Sequence, residues 1–210
     1  MPRPTSPKSV EQQILARLRK LDSSKGLRLL SASDFAKLGS RSAVDIALHR
    51  LARQGTIRRL TSGLYYVPII DLILGELRPG AHAVVGALEI KHRIRTQPSG
   101  ATAANSLGLS EQVPMRVVYL TDGPSRRLKI GKQEIVLKRT TPKNMETAGR
   151  LSGLVIQALR HLGQANVDDR VVAHLRRLIG PTERKRLIKD APLAPAWIGA
   201  RMREVAEGSK

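Results

Sequence analysis

The chain has 210 residues, with 37 Lys and Arg against 17 Asp and Glu, which leaves a formal charge of +20 and points to a polyanionic partner. The absence of cysteine excludes disulfides, thiolate metal sites and cysteine nucleophiles, and fits the reducing cytoplasm in which the chain is expected to reside. No apolar run approaches the roughly 20 residues that span a bilayer, and one Phe, one Trp and three Tyr are too few for a base-stacking platform, so duplex DNA is the better target.

Residues 1–8 lack an apolar signal core and read as a flexible basic arm. From Val10 to Leu21, Val10, Ile14, Leu15, Leu18 and Leu21 recur at helical spacing, with Ser9 and Gln12 in a capping-box arrangement. Lys25-Gly26 ends that helix, and Leu27 to Leu30 is short enough for a small strand or a turn. A second helix is expected over about Ser33 to Leu38, with Gly39 supplying the left-handed turn at its end. A third runs from about Arg41 to Gln54, capped by Ser40. Its Val44, Ala47, Leu48 and Leu51 follow the spacing of a core face. Thr56 to Leu60 and Leu64 to Val67 are strand-like, joined across Thr61-Ser62-Gly63.

Two short helices around a Gly-Ser turn, followed by a basic hairpin, form the pattern of a winged helix-turn-helix over residues 9–68. A helix that enters the major groove needs hydrogen-bonding side chains near its N-terminus. Arg41 suits guanine, Ser42 a base or phosphate, and Asp45 a cytosine amine. Asp45 equally suits the helix dipole or a pair with a nearby Arg. His49, one turn on, is placed for a phosphate or for a pair within the helix, and Arg53 adds charge at the helix end. Arg58 and Arg59 in the wing, with Thr61 and Ser62 at its tip, are the expected phosphate or minor-groove contacts. One of Tyr65 and Tyr66 is expected to pack beneath the wing, and the other to donate its hydroxyl to a phosphate. Tyr65 is counted among the contacts.

Residues 69–205 are expected to form a second, α+β and helical domain. Ile69 to Leu77 and Ala81 to His92 look helical, separated by Arg78-Pro79-Gly80. Gln97-Pro98-Ser99-Gly100 precedes a small-residue helix, Ala101 to Leu107. Strands over 116–121, 127–130 and 134–139 make a small antiparallel sheet, and helices follow over about 144–162, 167–178, 182–190 and 195–207. The fold class is therefore α+β, with a winged helix-turn-helix, a small antiparallel-sheet unit and C-terminal helices.

No catalytic constellation emerges. The run Gly123 to Lys132 has too long a gap for a P-loop, and Gln133 stands where Ser or Thr is needed. Five histidines are scattered without metal-ligand spacing, and Thr121-Asp122-Gly123 reads as a turn. The chain is expected to be no enzyme and to hold neither metal nor cofactor.

LGSRSAVDIALHRLARQGTIRRLTSGLYYVP, from Leu38 to Pro68, resembles the N-terminal winged helix of AbiEi-type antitoxins from type IV toxin–antitoxin operons. QPSGATAANSLGLSEQVPMRVVYLTDGPSRRLKIGKQEIVLKR, from Gln97 to Arg139, is similar to the uncharacterised DUF6088 proteins grouped with them. The resemblance implies an antitoxin that binds repeats in its own promoter and represses the operon. It also implies a C-terminal part that opposes a nucleotidyltransferase-like toxin. A palindromic operator would call for a dimer. The alternative is a protein-binding module whose basic surface docks an acidic toxin or another acidic partner, with DNA binding secondary.

Overall fold

The computed structural model describes residues 9–20, 27–112 and 114–207. The basic arm expected over residues 1–8 and the helix end expected at Lys25-Gly26 lie outside them. The chain packs as two compact units, residues 1–91 and 92–210. The division therefore falls at Lys91, and not at Pro68 where the sequence pattern changes.

The first unit opens with α1 (Val10–Arg19), whose Ser9 cap and Gln12 side chain complete the capping box. Strand β1 (Leu29–Leu30) follows, then a 3-10 helix over Ala32–Leu38 where an α-helix was expected. Asp34 closes its N-terminus: the carboxylate accepts from the Ser31 N–H at 2.6 Å and fixes the first turn. Helix α2 (Arg41–Arg53) starts at Ser40, whose hydroxyl accepts from the Ala43 N–H at 3.3 Å. Val44, Ala47, Leu48 and Leu51 are buried, as their spacing requires. They meet Ile14 and Leu18 of α1, Phe35 of the 3-10 helix, and Ile57 in one apolar cluster.

Strands β2 (Arg58–Thr61) and β3 (Leu64–Tyr66) form an antiparallel hairpin, and β1 adds on the far side of β3. Gly63, with φ +65°, makes the tight turn between them. Residues 69–77 are not helical. They form a second hairpin, β4 (Ile69–Asp71) and β5 (Gly75–Leu77), with Ile70 opposite Glu76. The turn decides the matter: Asp71 Oδ1 accepts from the N–H groups of both Ile73 and Leu74 at 2.8 Å, and Gly75 holds φ +73°. Helix α3 (Ala81–His92) follows, and its Lys91 donates to the Ser62 carbonyl at the β2–β3 turn.

The second unit is built on a four-stranded sheet ordered β6 (Thr96–Ser99), β7 (Arg116–Thr121), β9 (Gln133–Arg139), β8 (Arg126–Ile130). Its edge pairs are antiparallel, whereas β7 and β9 run parallel, so the expected antiparallel sheet has a parallel centre. Strand β6 covers the Gln97-Pro98-Ser99 segment, which was not among the strands expected from sequence. Pro98 is tolerated there because β6 is an edge strand, which needs ladder donors on one side only.

Helices α4 (Ala101–Ser106) and α6 (Leu151–Leu162) pack on this sheet. The single helix expected over 144–162 is broken into α5 (Pro142–Met145) and α6, with Gly149 at φ +77° in the gap. Helices α7 (Asp169–Leu178), α8 (Pro181–Asp190) and α9 (Ala196–Glu207) complete a core containing Ala104, Leu159, Leu175, Leu187, Ile198 and Met202. Among the described residues no helix is long and apolar enough to cross a membrane.

Candidate nucleic-acid interface

Burying Val44, Ala47, Leu48 and Leu51 turns the opposite side of α2 to solvent. Ser42, Asp45, Ile46, His49 and Arg53 lie along that outward stripe, with Arg41 and Arg50 beside it, and all seven are exposed. The stripe therefore holds four of the five α2 residues singled out from sequence, with the fifth, Arg41, at its side. Ile46 was missed by sequence reasoning. At 54% exposure it leaves an apolar group among cations, the type of side chain that packs on a thymine methyl. The signal was available: Ile46 is the one large apolar residue in α2 that does not fit the core spacing.

Arg41 and Asp45 are not independent. Arg41 Nε donates to Asp45 Oδ2 at 2.9 Å, one helical turn on, and both side chains remain more than half exposed. The local charge of this pair is zero. The uncommitted cations on α2 are Arg50 and Arg53, which make no ion pair among the described residues.

The two arginines of β2 differ in the same way. Arg59 projects to solvent without an ion pair among the described residues. Arg58 Nε instead donates to Glu76 Oε2 of β5 at 3.2 Å, and its Nη1 reaches the Gly55 carbonyl at 3.5 Å. Glu76 also accepts from the Tyr66 hydroxyl at 2.8 Å. The Tyr66 hydroxyl, first, and the Arg58 guanidinium hold the Glu76 carboxyl below its ordinary value against the opposing effect of burial. Burial, and then the Glu76 carboxylate, push the Tyr66 phenol up.

The expected division of labour between the tyrosines is thus replaced by two internal roles. Tyr65 is buried in the core of the unit, and Tyr66 gives its hydroxyl to Glu76. At the tip, Ser62 is exposed and Thr61 half-buried, and the Lys91 ammonium on the Ser62 carbonyl brings a further cation to the turn.

The second unit carries its own cationic surface. One face of the sheet bears Arg116, Arg127, Lys129 and Lys138, with Glu134 pairing Arg116 at 3.2 Å, and a depression there is lined by Arg116, Arg127 and Lys138. Asp122 is a positioning group for the backbone. It accepts from the Arg95 N–H at 2.8 Å and from Arg95 Nε at 2.9 Å. Burial alone would raise its carboxyl, but the Arg95 donors outweigh that and lower it. His92 meets Arg126 at 2.7 Å and His174 meets the Leu107 carbonyl at 2.8 Å. Among the described residues no three His, Asp or Glu side chains converge as a metal site.

These features define a mixed α+β chain whose first unit presents an exposed, cation-flanked helix face and a basic hairpin. The chain belongs to the DUF6088 family, a family of unknown function, which it matches over residues 13–187. No curated protein matches it. Among solved structures it is similar to the RV2827C protein from Mycobacterium tuberculosis, at 15% identity and a TM-score of 0.45, over 95% of this chain and 75% of that one.

Proposed function

We propose that the first unit is a winged helix-turn-helix that binds double-stranded DNA, with α2 in the major groove and the β2–β3 hairpin as the wing. The observation that carries this reading is the outward stripe of α2, where Ser42, Ile46 and His49 lie between the exposed cations Arg41, Arg50 and Arg53. Its hydrogen-bonding and apolar groups suit base edges, and its unpaired cations suit phosphates. A net charge of +20 supplies the long-range attraction. Arg59 and the Ser62 tip are the wing's phosphate contacts in this reading. Arg41 reads a base after exchanging Asp45 for it.

The resemblance of residues 38–68 to AbiEi-type antitoxins extends the proposal to autorepression of a toxin–antitoxin operon, with a nucleotidyltransferase-like toxin as the second partner. Fluorescence anisotropy with the native upstream region is the test of the DNA-binding claim. Tighter binding to that duplex than to a scrambled one at physiological salt is the expected result, and equal affinity for the two refutes sequence-specific repression. Co-expression with the product of an adjacent nucleotidyltransferase-like gene tests the antitoxin role. Unrelieved toxicity with the full chain present refutes it.

A further inference from the structure

Strand β8 is an outer strand of the second unit's sheet and pairs with β9 alone, so its other edge is open among the described residues of that unit. An open edge offers a row of backbone N–H and C=O groups to an incoming strand. The alternation along β8 is strict. Arg127 and Lys129 are exposed on one face, and Leu128 and Ile130 are half-buried on the other. Neither Arg127 nor Lys129 makes an ion pair among the described residues. Glu134 stands opposite Lys129 on β9, but its carboxylate goes to Arg116 at 3.2 Å. A depression at this strand is lined by Arg127, Leu128, Lys129 and Glu134.

We propose that β8 receives an extended segment of a partner protein as a fifth strand, and that acidic and apolar residues alternate along that segment. Charge and spacing together select the occupant. Same-face residues of a strand lie about 7 Å apart. Carboxylates at every second position of the incoming strand therefore come directly opposite Arg127 and Lys129, with Cβ atoms about 5 Å apart. The apolar residues between them come opposite Leu128 and Ile130 and cover what those side chains leave exposed. Main-chain pairing supplies affinity, and the alternating side chains supply specificity.

The same edge rejects a second copy of this chain. Pairing β8 with β8 would set Arg and Lys against like charges on two molecules that each carry +20. A nucleic acid would suit Arg127 and Lys129, together with Lys138 on the same face. It has no strand to pair with the open backbone, however, and would leave Leu128 and Ile130 uncovered. The surface lies wholly in the second unit, so the proposal does not depend on the first unit's binding to DNA.

Fluorescence anisotropy tests the proposal on the full chain, with a labelled short peptide that alternates Glu and Val and is long enough to span β8. One control peptide has the same residues in two separate blocks. The other alternates but is methylated at every backbone nitrogen, so it cannot donate to a strand. The alternating peptide is expected to bind with a Kd on the order of 100 µM, and both controls at least about tenfold more weakly. Arg127→Glu/Lys129→Glu should weaken the alternating peptide by about tenfold or more, and Lys129→Gln by an intermediate amount. Far-UV circular dichroism and melting temperature should match the wild type, because both side chains are exposed. No binding up to about 1 mM peptide overturns the proposal, as does equal affinity for the block control. Undiminished binding by either folded variant also overturns it. A chain that ignores the peptide but loses DNA affinity with these variants overturns it in favour of a nucleic-acid surface.

Discussion

Arg41 and Asp45 hold each other across 2.9 Å on the exposed first turns of α2. An exposed i, i+4 pair of this kind contributes about 0.3–0.5 kcal/mol, so exchanging it for a base contact costs little. Asp45→Ala is therefore expected to change stability by less than about 0.5 kcal/mol while raising affinity for duplex DNA. Chemical denaturation and anisotropy on the same preparation check both halves. Weaker DNA binding by the variant would mean that Asp45 itself touches a base.

If the proposed DNA binding holds, the two β2 arginines should separate in a salt titration. Arg59→Ala removes an uncommitted cation and is expected to lower the magnitude of the log K against log salt slope by about one. Arg58→Ala should lower it by less, since Glu76 already neutralises Arg58. Equal losses for the two variants would show that Arg58 leaves Glu76 when DNA binds.

Gly153 is a packing glycine of the second unit. A Cβ there would lie 2.3 Å from the Thr147 carbonyl oxygen and 2.7 Å from Gln97 Oε1, and Gln97 Nε2 donates to the Gly153 carbonyl at 2.6 Å. Gly153→Ala should destabilise the protein by about 1–3 kcal/mol through overpacking. Urea denaturation measures it, and an unchanged midpoint would show that α6 is free to move away from β6.

The Asp122–Arg95 contact makes a signed prediction for acid. The folded carboxyl lies below its ordinary value, so its stabilising contribution is complete above the unfolded value of about 4 and is lost as pH falls through the folded one. Wild type and Asp122→Asn should differ in melting temperature at pH 7, and the difference should close below about pH 4. A gap that persists into strong acid would assign the contact's value to the backbone hydrogen bond alone.

Legibility in the sequence followed how local each cause is. The capping box of α1, the start of α2 at Ser40 and the buried face of α2 were all readable, because caps and helical spacing act within a few residues. Residues 69–77 were misread because a short apolar run carries no clear period. The deciding signals were Asp71 and Gly75 at the turn. The parallel pairing of β7 with β9 depends on the chain's return path, which no local pattern encodes.

At the candidate interface, residue type and helical face were predictable, but partners were not. Nothing near Arg58 or Tyr66 in sequence announces Glu76, which comes from the following hairpin. The helix pair of Arg41 and Asp45, by contrast, was among the alternatives that spacing allowed.

Glu76 also links two surfaces of the first unit. Its two oxygens divide between Tyr66 and Arg58, one from each strand of the β2–β3 hairpin. A phosphate that draws Arg58 away competes directly with this carboxylate, which then keeps only the tyrosine. In the proposed DNA complex, by reciprocity, whatever tightens the hairpin root on Arg58 would weaken that arginine's hold on a phosphate. The charge that the β2–β3 hairpin can offer is thus adjustable, set by a residue eighteen positions further along the chain.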